Sequence, residues 1–272
     1  MLNDVMFRRL LDASDPAWRP LIALYAESFE DAQREAEAGI RRNLRTSENS
    51  RPGGHVVIAA LAVDTTCVGG IIFSYLPTVD SGYVSYIFVR SGRRRQGIGT
   101  ALLEEAHRWM LDEARFAGRD RVLGVFTEIQ RVGQGWLSLR DRFHFWQKVA
   151  VLPLDVDWRY PPLRPDEPAV PMYLAYGSYG PEREHWYPRD IERVAVAIFE
   201  ATYDYLPGGL QTLQEILAGV RRLPHDVPIS YIGPGETLSR MSAEMEGQDL
   251  DLGSPYHRLH LLAVDGGPAP IG

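Results

Sequence analysis

The sequence predicts an α/β (α+β) fold: a mixed, mostly antiparallel twisted sheet flanked by helices, with an α/β appendage at the C-terminal end. Three observations predict it. Three apolar, β-branched runs follow one another across short links, which reads as an antiparallel meander because parallel neighbours need a long crossover. A glycine-rich turn, an amphipathic helix and a further strand come next, the order of a right-handed crossover that joins a locally parallel pair. Beyond Gly177 the texture changes to helical runs punctuated by Pro and Gly.

The elements follow in order. Trp18, Leu21, Ile22, Tyr25 and Phe29 recur at three- to four-residue spacing, so residues 16–38 read as a helix started by Asp15-Pro16. Residues 46–54, TSENSRPGG, read as a loop. Val56–Val63, Val68–Leu76 and Gly82–Val89 are the meander strands, linked by Asp64-Thr65-Thr66 and by PTVDSG. A helix then carries Leu102, Leu103, Ala106, Trp109 and Met110 on one face, and Arg121–Ile129 is the next strand. Residues 137–149 form a helix with Leu139, Phe143 and Trp146 on one side, and 151–160 and 170–176 alternate like strands. Ile191, Val194, Ala195, Ile198 and Tyr205 mark an amphipathic helix closed by Pro207-Gly208-Gly209. Leu210–Val220 follows as another helix, Val227–Ile232 and Arg258–Val264 as strands, and GGPAPIG as a frayed tail.

Composition sets bounds on function. Lys+Arg is 29 and Asp+Glu is 36, giving a net charge of −7. That excludes a general nucleic-acid binder, which needs a cationic surface. Cys67 is the only cysteine, so neither an intrachain disulfide nor a cysteine-based zinc site can form. His257 and His260 are three apart in a strand-like run, which points their rings to opposite faces, and no metal is expected. No apolar run reaches the ~18–20 residues of a membrane span, and the start lacks a basic segment followed by an apolar one. The expectation is a cytoplasmic protein without a membrane partner. No GxSxG elbow occurs either.

The chemistry concentrates in Tyr86–Thr100, YIFVRSGRRRQGIGT. A strand ends near Val89, arginines crowd residues 90–95, and a helix begins beside Gly97-Ile98-Gly99-Thr100. A helix start leaves backbone N–H groups unpaired and partly positive. Glycines let an anion approach, and arginines add charge-assisted donors, so this is a phosphate cradle. A P-loop would need Lys where Ile98 stands, and a dinucleotide fingerprint would need a third glycine where Leu102 stands.

The run Arg94-Arg95-Gln96-Gly97-Ile98-Gly99 instead resembles the acyl-CoA-binding motif [Q/R]-x-x-G-x-[G/A] of the GNAT superfamily of N-acyltransferases. The resemblance covers residues 1–176, leaving 177–272 as an extension that covers the acceptor side or mediates homodimerisation. It implies acetyl-CoA, or another acyl-CoA, as co-substrate, held at the pyrophosphate by Gln96 through Thr100 with Arg94 and Arg95 adjacent. Pantetheine would pair with Ile87, Phe88 and Val89, and an N–H near Phe88 or Val89 would polarise the thioester carbonyl. An amine of a small molecule or peptide would attack directly, so Cys67 is not needed as a nucleophile.

The chain departs from the family pattern at one place. Phe145-Trp146-Gln147-Lys148 puts Trp146 where many relatives carry a tyrosine that protonates the leaving thiolate. His144 and Tyr86 are therefore candidate proton donors, and Glu128, at the end of its strand, is the candidate general base. Tyr83 reads as a pocket residue, Arg142 and Lys148 as surface groups, and the pairs Trp158/Tyr160 and Trp186/Tyr187 as core anchors or lining of an acceptor pocket. An acyl-CoA-binding sensor or interaction module without turnover is the alternative, kept open by Trp146.

Overall fold

The computed structural model describes residues 4–29, 33–44, 54–131, 136–180 and 185–246. Eight strands form one sheet. Their ranges are β1 Val5–Leu10, β2 Val56–Ala62, β3 Cys67–Leu76, β4 Ser81–Val89, β5 Gly124–Gln130, β6 Leu152–Pro153, β7 Trp158–Tyr160 and β8 Val170–Ser178. The order is β1-β2-β3-β4-β5-β8-β6, with β7 also paired to β8. β1 to β4 are antiparallel neighbours, β4 and β5 are parallel, and β8 returns antiparallel to β5. The mixed, mostly antiparallel sheet read from the sequence is therefore the fold of the chain.

The helices are α1 Trp18–Ser28, α2 Glu37–Asn43, α3 Ile98–Phe116, α4 Trp136–Lys148, α5 Pro188–Ile198, α6 Gly209–Val220 and α7 Pro234–Glu246. α3 supplies the crossover between β4 and β5. Its apolar face (Leu102, Leu103, Ala106, Met110) packs with Val84, Val125 and Ile129 on one side of the sheet. The other side is shared. Over β2 to β4, Trp18, Leu21, Leu24 and Tyr25 of α1 cover Val57, Ala59, Tyr86 and Phe88. Over β5 and β8, Ile191, Val194 and Ile198 of α5 and Ile216 of α6 cover Phe126, Leu174 and Tyr176.

Four expectations change in detail. The helix read over 16–38 ends at Ser28, because Phe29 adopts extended backbone (φ −130°, ψ 142°), and a separate helix, α2, begins only at Glu37. The Phe29 ring then meets Tyr86 and Phe88, at centroid distances of 5.2 and 6.0 Å. Packing wins over helical periodicity there. The strand read from Arg121 begins at Gly124, since Leu123 donates its N–H to Asp80 O instead of joining the ladder. Val227–Ile232 is not a strand: it makes only isolated bridges, Ile229 to Trp186 and Tyr231 to Leu154. The helix read through Tyr205 becomes a π-helical turn over Phe199–Tyr203. β1 and α7 had no counterpart in the sequence reading. Arg258–Val264, His257 and His260 lie outside the described residues. Among the described residues no helix is long and apolar enough to cross a membrane.

Candidate active site

The glycine turn is built locally. A short 3₁₀ turn over Ser91–Arg93 follows β4, and Arg95 (φ 64°) and Gly97 (φ 85°) both take left-handed backbone. Glycine makes that affordable at the residue capping α3. The first α3 bond runs from Ala101 N–H to Gly97 O at 3.0 Å. No side chain caps the helix start. The amides of Ile98, Gly99 and Thr100 therefore precede the helical ladder, with their partial positive charge uncompensated by a capping side chain. Arg94, Arg95 and Gln96 are exposed beside them. Arg94 Nε reaches Val89 O at 3.2 Å, and Gln96 Nε2 reaches Gly92 O at 3.4 Å. Gly99 has a packing reason too, since a Cβ there would come within 3.0 Å of the Phe145 ring. Arg90 and Arg93 are engaged in holding the turn, Arg90 to Cys67 O and Arg93 to Asp4.

The strand pair next to the turn divides. β4 pairs with β5 only from Gly82↔Val125 to Val84↔Thr127, although β4 continues to Val89 and β5 to Gln130. The β3–β4 register shifts between Ile72 and Phe73, leaving Ser85 unmatched at the divergence. A bulge of this kind bends and twists the strand that carries it. Beyond it, Arg90 N–H donates to Val68 O on β3. Alternation along an antiparallel strand then turns the Phe88 amide toward β3, and the Ile87 and Val89 amides toward the open side. Of the two amides named from the sequence as carbonyl donors, only that of Val89 points away from β3.

Glu128 is the first residue past the last β4–β5 pair. Its carboxylate accepts three hydrogen bonds: Trp158 Nε1 at 2.5 Å on one oxygen, and the hydroxyls of Tyr203 at 2.8 Å and Tyr83 at 3.0 Å on the other. The Tyr83 and Tyr203 hydroxyls also touch each other, so their two protons serve two of these three oxygen–oxygen contacts at a time. Burial pushes the Glu128 carboxyl up to about 7, and the three donors pull the other way. Burial raises the hydroxyls of Tyr83, Tyr160 and Tyr203 well above the ordinary tyrosine value, so they stay protonated donors at neutral pH.

Tyr86 belongs to the same wall. Its hydroxyl lies 3.1 Å from that of Tyr160, whose ring packs edge-on to Tyr203 at 5.1 Å. It also accepts the Glu35 N–H at 3.1 Å. Burial first, then the Glu35 charge, raise Tyr86 to about 12. His144 lies elsewhere. It is exposed on α4, held by Arg140 and Gln147 of its own helix. Trp146 is buried in the core against α3. Lys148 is exposed, and Arg142 bonds Gln130 and lies over the Phe29 ring. Cys67 is buried, and burial pushes its thiol up, so it offers no thiolate.

Two residues of this cluster had no role in the sequence reading. Tyr203 is 75 positions from Glu128 in the chain, and nothing local marks it. A π turn, a feature often found at functional sites, was the only signal, and it exists only in three dimensions. Glu35 read as one more polar position on a long helix, yet it is only 6% exposed.

No curated protein matches the chain. Among solved structures, a GNAT-family protein from Bacteroides thetaiotaomicron is 19% identical, covering 64% of this chain and 88% of its own at a TM-score of 0.48. A GCN5-related N-acetyltransferase from Kribbella flavida is 17% identical, covering 65% of this chain and 99% of its own, with a TM-score of 0.42. An aminoglycoside acetyltransferase from an uncultured soil metagenomic sample, in complex with trehalose, is 20% identical and covers 54% and 87%, with a TM-score of 0.37. Residues 18–128, from the start of α1 to Glu128, match the acetyltransferase (GNAT) family. That segment, which is less than half of the chain, is similar to GNAT acetyltransferase domains.

Proposed function

We propose that the chain is an acyl-CoA-dependent N-acyltransferase, in the first place an acetyltransferase, acting on a primary amine of a small molecule or peptide. One observation carries the reading. The uncapped amides that open α3 stand at one end of a divided strand pair, and a near-neutral carboxyl stands at the division. The first suits a diphosphate, the second an extended pantetheine chain, the third a proton acceptor.

In this reading the Ile98, Gly99 and Thr100 amides hold the diphosphate, with Arg94 and Arg95 adding charge. The Val89 amide donates to the thioester carbonyl oxygen and stabilises the negative charge that develops there. The amine nitrogen bonds to the carbonyl carbon, the carbon–sulfur bond breaks, and the acyl group ends on nitrogen. Glu128 takes the proton that nitrogen gives up. A carboxyl titrating near 7 suits that role at neutral pH. Tyr83, Tyr203 and Trp158 orient the carboxylate. Trp146 is no acid, so the thiolate takes its proton from water.

The test is release of CoA thiol from acetyl-CoA across a panel of primary amines. Amine-dependent release is the expected result. Saturable acetyl-CoA binding with no release for any amine would replace this reading with that of a non-catalytic binding module.

A further inference from the structure

Two tyrosines leave one short turn for different destinations. Tyr203 ends the π turn over Phe199–Tyr203 and places its hydroxyl 2.8 Å from Glu128. Tyr205, two residues later, directs its hydroxyl to the Glu35 carboxyl and to Asn43 at the end of α2. Its ring packs on the same helix. A Cβ at Gly39 would come within 3.1 Å of it, and the Arg42 guanidinium lies 5.8 Å from its centroid. Burial first, then the Glu35 charge, raise the Tyr205 hydroxyl, so it stays a protonated donor at neutral pH.

Glu35 is only 6% exposed and is held from several sides. Its N–H donates to the Tyr86 hydroxyl at 3.1 Å, and its carbonyl accepts the Tyr25 hydroxyl at 3.2 Å. Its carboxylate stands 3.7 Å from His55 Nε2, and His55 Nδ1 meets Ser74 Oγ of β3 at 3.2 Å. Gly39 closes in the carboxyl end, since a Cβ there would come within 2.3 Å of Oε1. Tied to β3 and β4 in this way, Glu35 is a rigid anchor for Tyr205. The turn between the two tyrosines has little slack either. Thr202 Oγ1 donates to Ile198 O at 2.5 Å, and Leu206 N–H to Tyr203 O at 3.1 Å. Fixing one end of such a turn fixes the other.

We propose that Tyr205 and Glu35 are positioning residues for the base: by pinning the turn to α2 they hold Tyr203 on Glu128. Both tyrosines reach from the region beyond Gly177 into residues 18–128, so that region completes the site instead of standing apart from it. The proposal rests on the N-acyltransferase reading and adds residues that set its base. The titratable groups on Glu128 are Tyr83 of β4 and Tyr203, with Tyr160 of β7 edge-on to Tyr203. Those that face Glu35 are Tyr25, His55, Tyr86, Tyr160 and Tyr205.

The experiment follows the Glu128 carboxyl by isotope-edited NMR titration of the glutamate side chains, with Glu128→Gln identifying its signal. The pH profile of CoA release from acetyl-CoA is measured beside it, across a panel of primary amines. Tyr205→Phe keeps the ring and removes the hydroxyl. The expected result is an upward move of the carboxyl midpoint and of the kcat/KM inflection by about half a pH unit, because the donor on Glu128 is loosened. Acetyl-CoA affinity should hold. Tyr203→Phe moves both further, and adding Tyr205→Phe to it changes nothing more, as residues acting through one contact require. Gly39→Ala, whose methyl displaces Glu35 and Tyr205 together, moves the midpoint in the same direction. This variant keeps the test open if Tyr205→Phe does not fold. A merely structural role would lower the melting temperature and leave the midpoint in place. An unmoved midpoint in the folded variants overturns the proposal, and so do shifts that add in the double variant. Midpoints that move as expected, with no thiol release for any amine, overturn the transferase and keep the positioning link.

Discussion

The glycine turn and the Glu128 cluster meet at the same strand pair, yet they are made in opposite ways. The turn is a run of consecutive, exposed residues whose geometry comes from backbone alone: left-handed Arg95 and Gly97, and amides left over at a helix start. The cluster gathers Tyr83, Glu128, Trp158 and Tyr203 from four separate elements. Its property, a carboxyl near 7, comes from burial that no single element supplies. A local site survives changes elsewhere in the fold, whereas an assembled one depends on every contributor.

That contrast is open to tests, the largest effect first. Gly97→Trp should abolish acetyl-CoA binding by filling the cradle. Left-handed backbone at this position adds a stability cost of about 1–2 kcal/mol. Calorimetric titration of the folded variant checks this, and unchanged affinity would remove the turn from the site. Glu128→Gln should cut kcat by about a hundredfold or more while acetyl-CoA affinity holds.

The pH dependence sharpens the same point. The ionised carboxylate is the active form and the carboxyl sits at about 7, so kcat/KM in the unaltered protein should climb between pH 6 and 8. A flat profile over that range would take the base role from Glu128. The effect on stability has the opposite sign. From the ordinary carboxylate range up to about 7, the folded state keeps a proton that the unfolded state has lost. The contribution of this site to stability therefore falls as pH rises through that window. Melting temperatures of the protein and of Glu128→Gln, compared at pH 5 and 8, measure the difference.

Tyr203→Phe should be milder, lowering kcat severalfold. It removes one donor to the carboxylate, so the inflection should move up by about one pH unit. An unmoved inflection would detach the C-terminal region from the chemistry. His144→Ala is the smallest change. This exposed side chain bonds only within α4 among the contacts described, and turnover should stay within about twofold of the unaltered protein. A large loss would mean that α4 brings His144 to the sulfur during turnover.

Legibility followed the same division. The meander, the crossover helix and the glycine turn were readable because each is encoded by neighbours in sequence. β1 was not, since VMFRRL mixes charge with apolar residues and fully buries only Leu10. α7 was hidden behind Gly233-Pro234-Gly235, which reads as a turn although proline suits a first helical position. Within the cluster, Glu128 and Tyr83 could be named from their strands and Trp158 only as one of an aromatic pair. Tyr203 could not be named at all.

By itself the sequence determined the order of the sheet's central strands and the anion-ready start of α3. Both follow from short-range rules of periodicity, link length and backbone freedom. Only the tertiary structure decided that Phe29 leaves its helix, that a π turn carries Tyr203 to Glu128, and that Glu35 and His55 are buried together. Each of these depends on which distant side chains share a low-dielectric space, and hydrogen bonds and charges acquire their strength there from burial rather than from spacing along the chain.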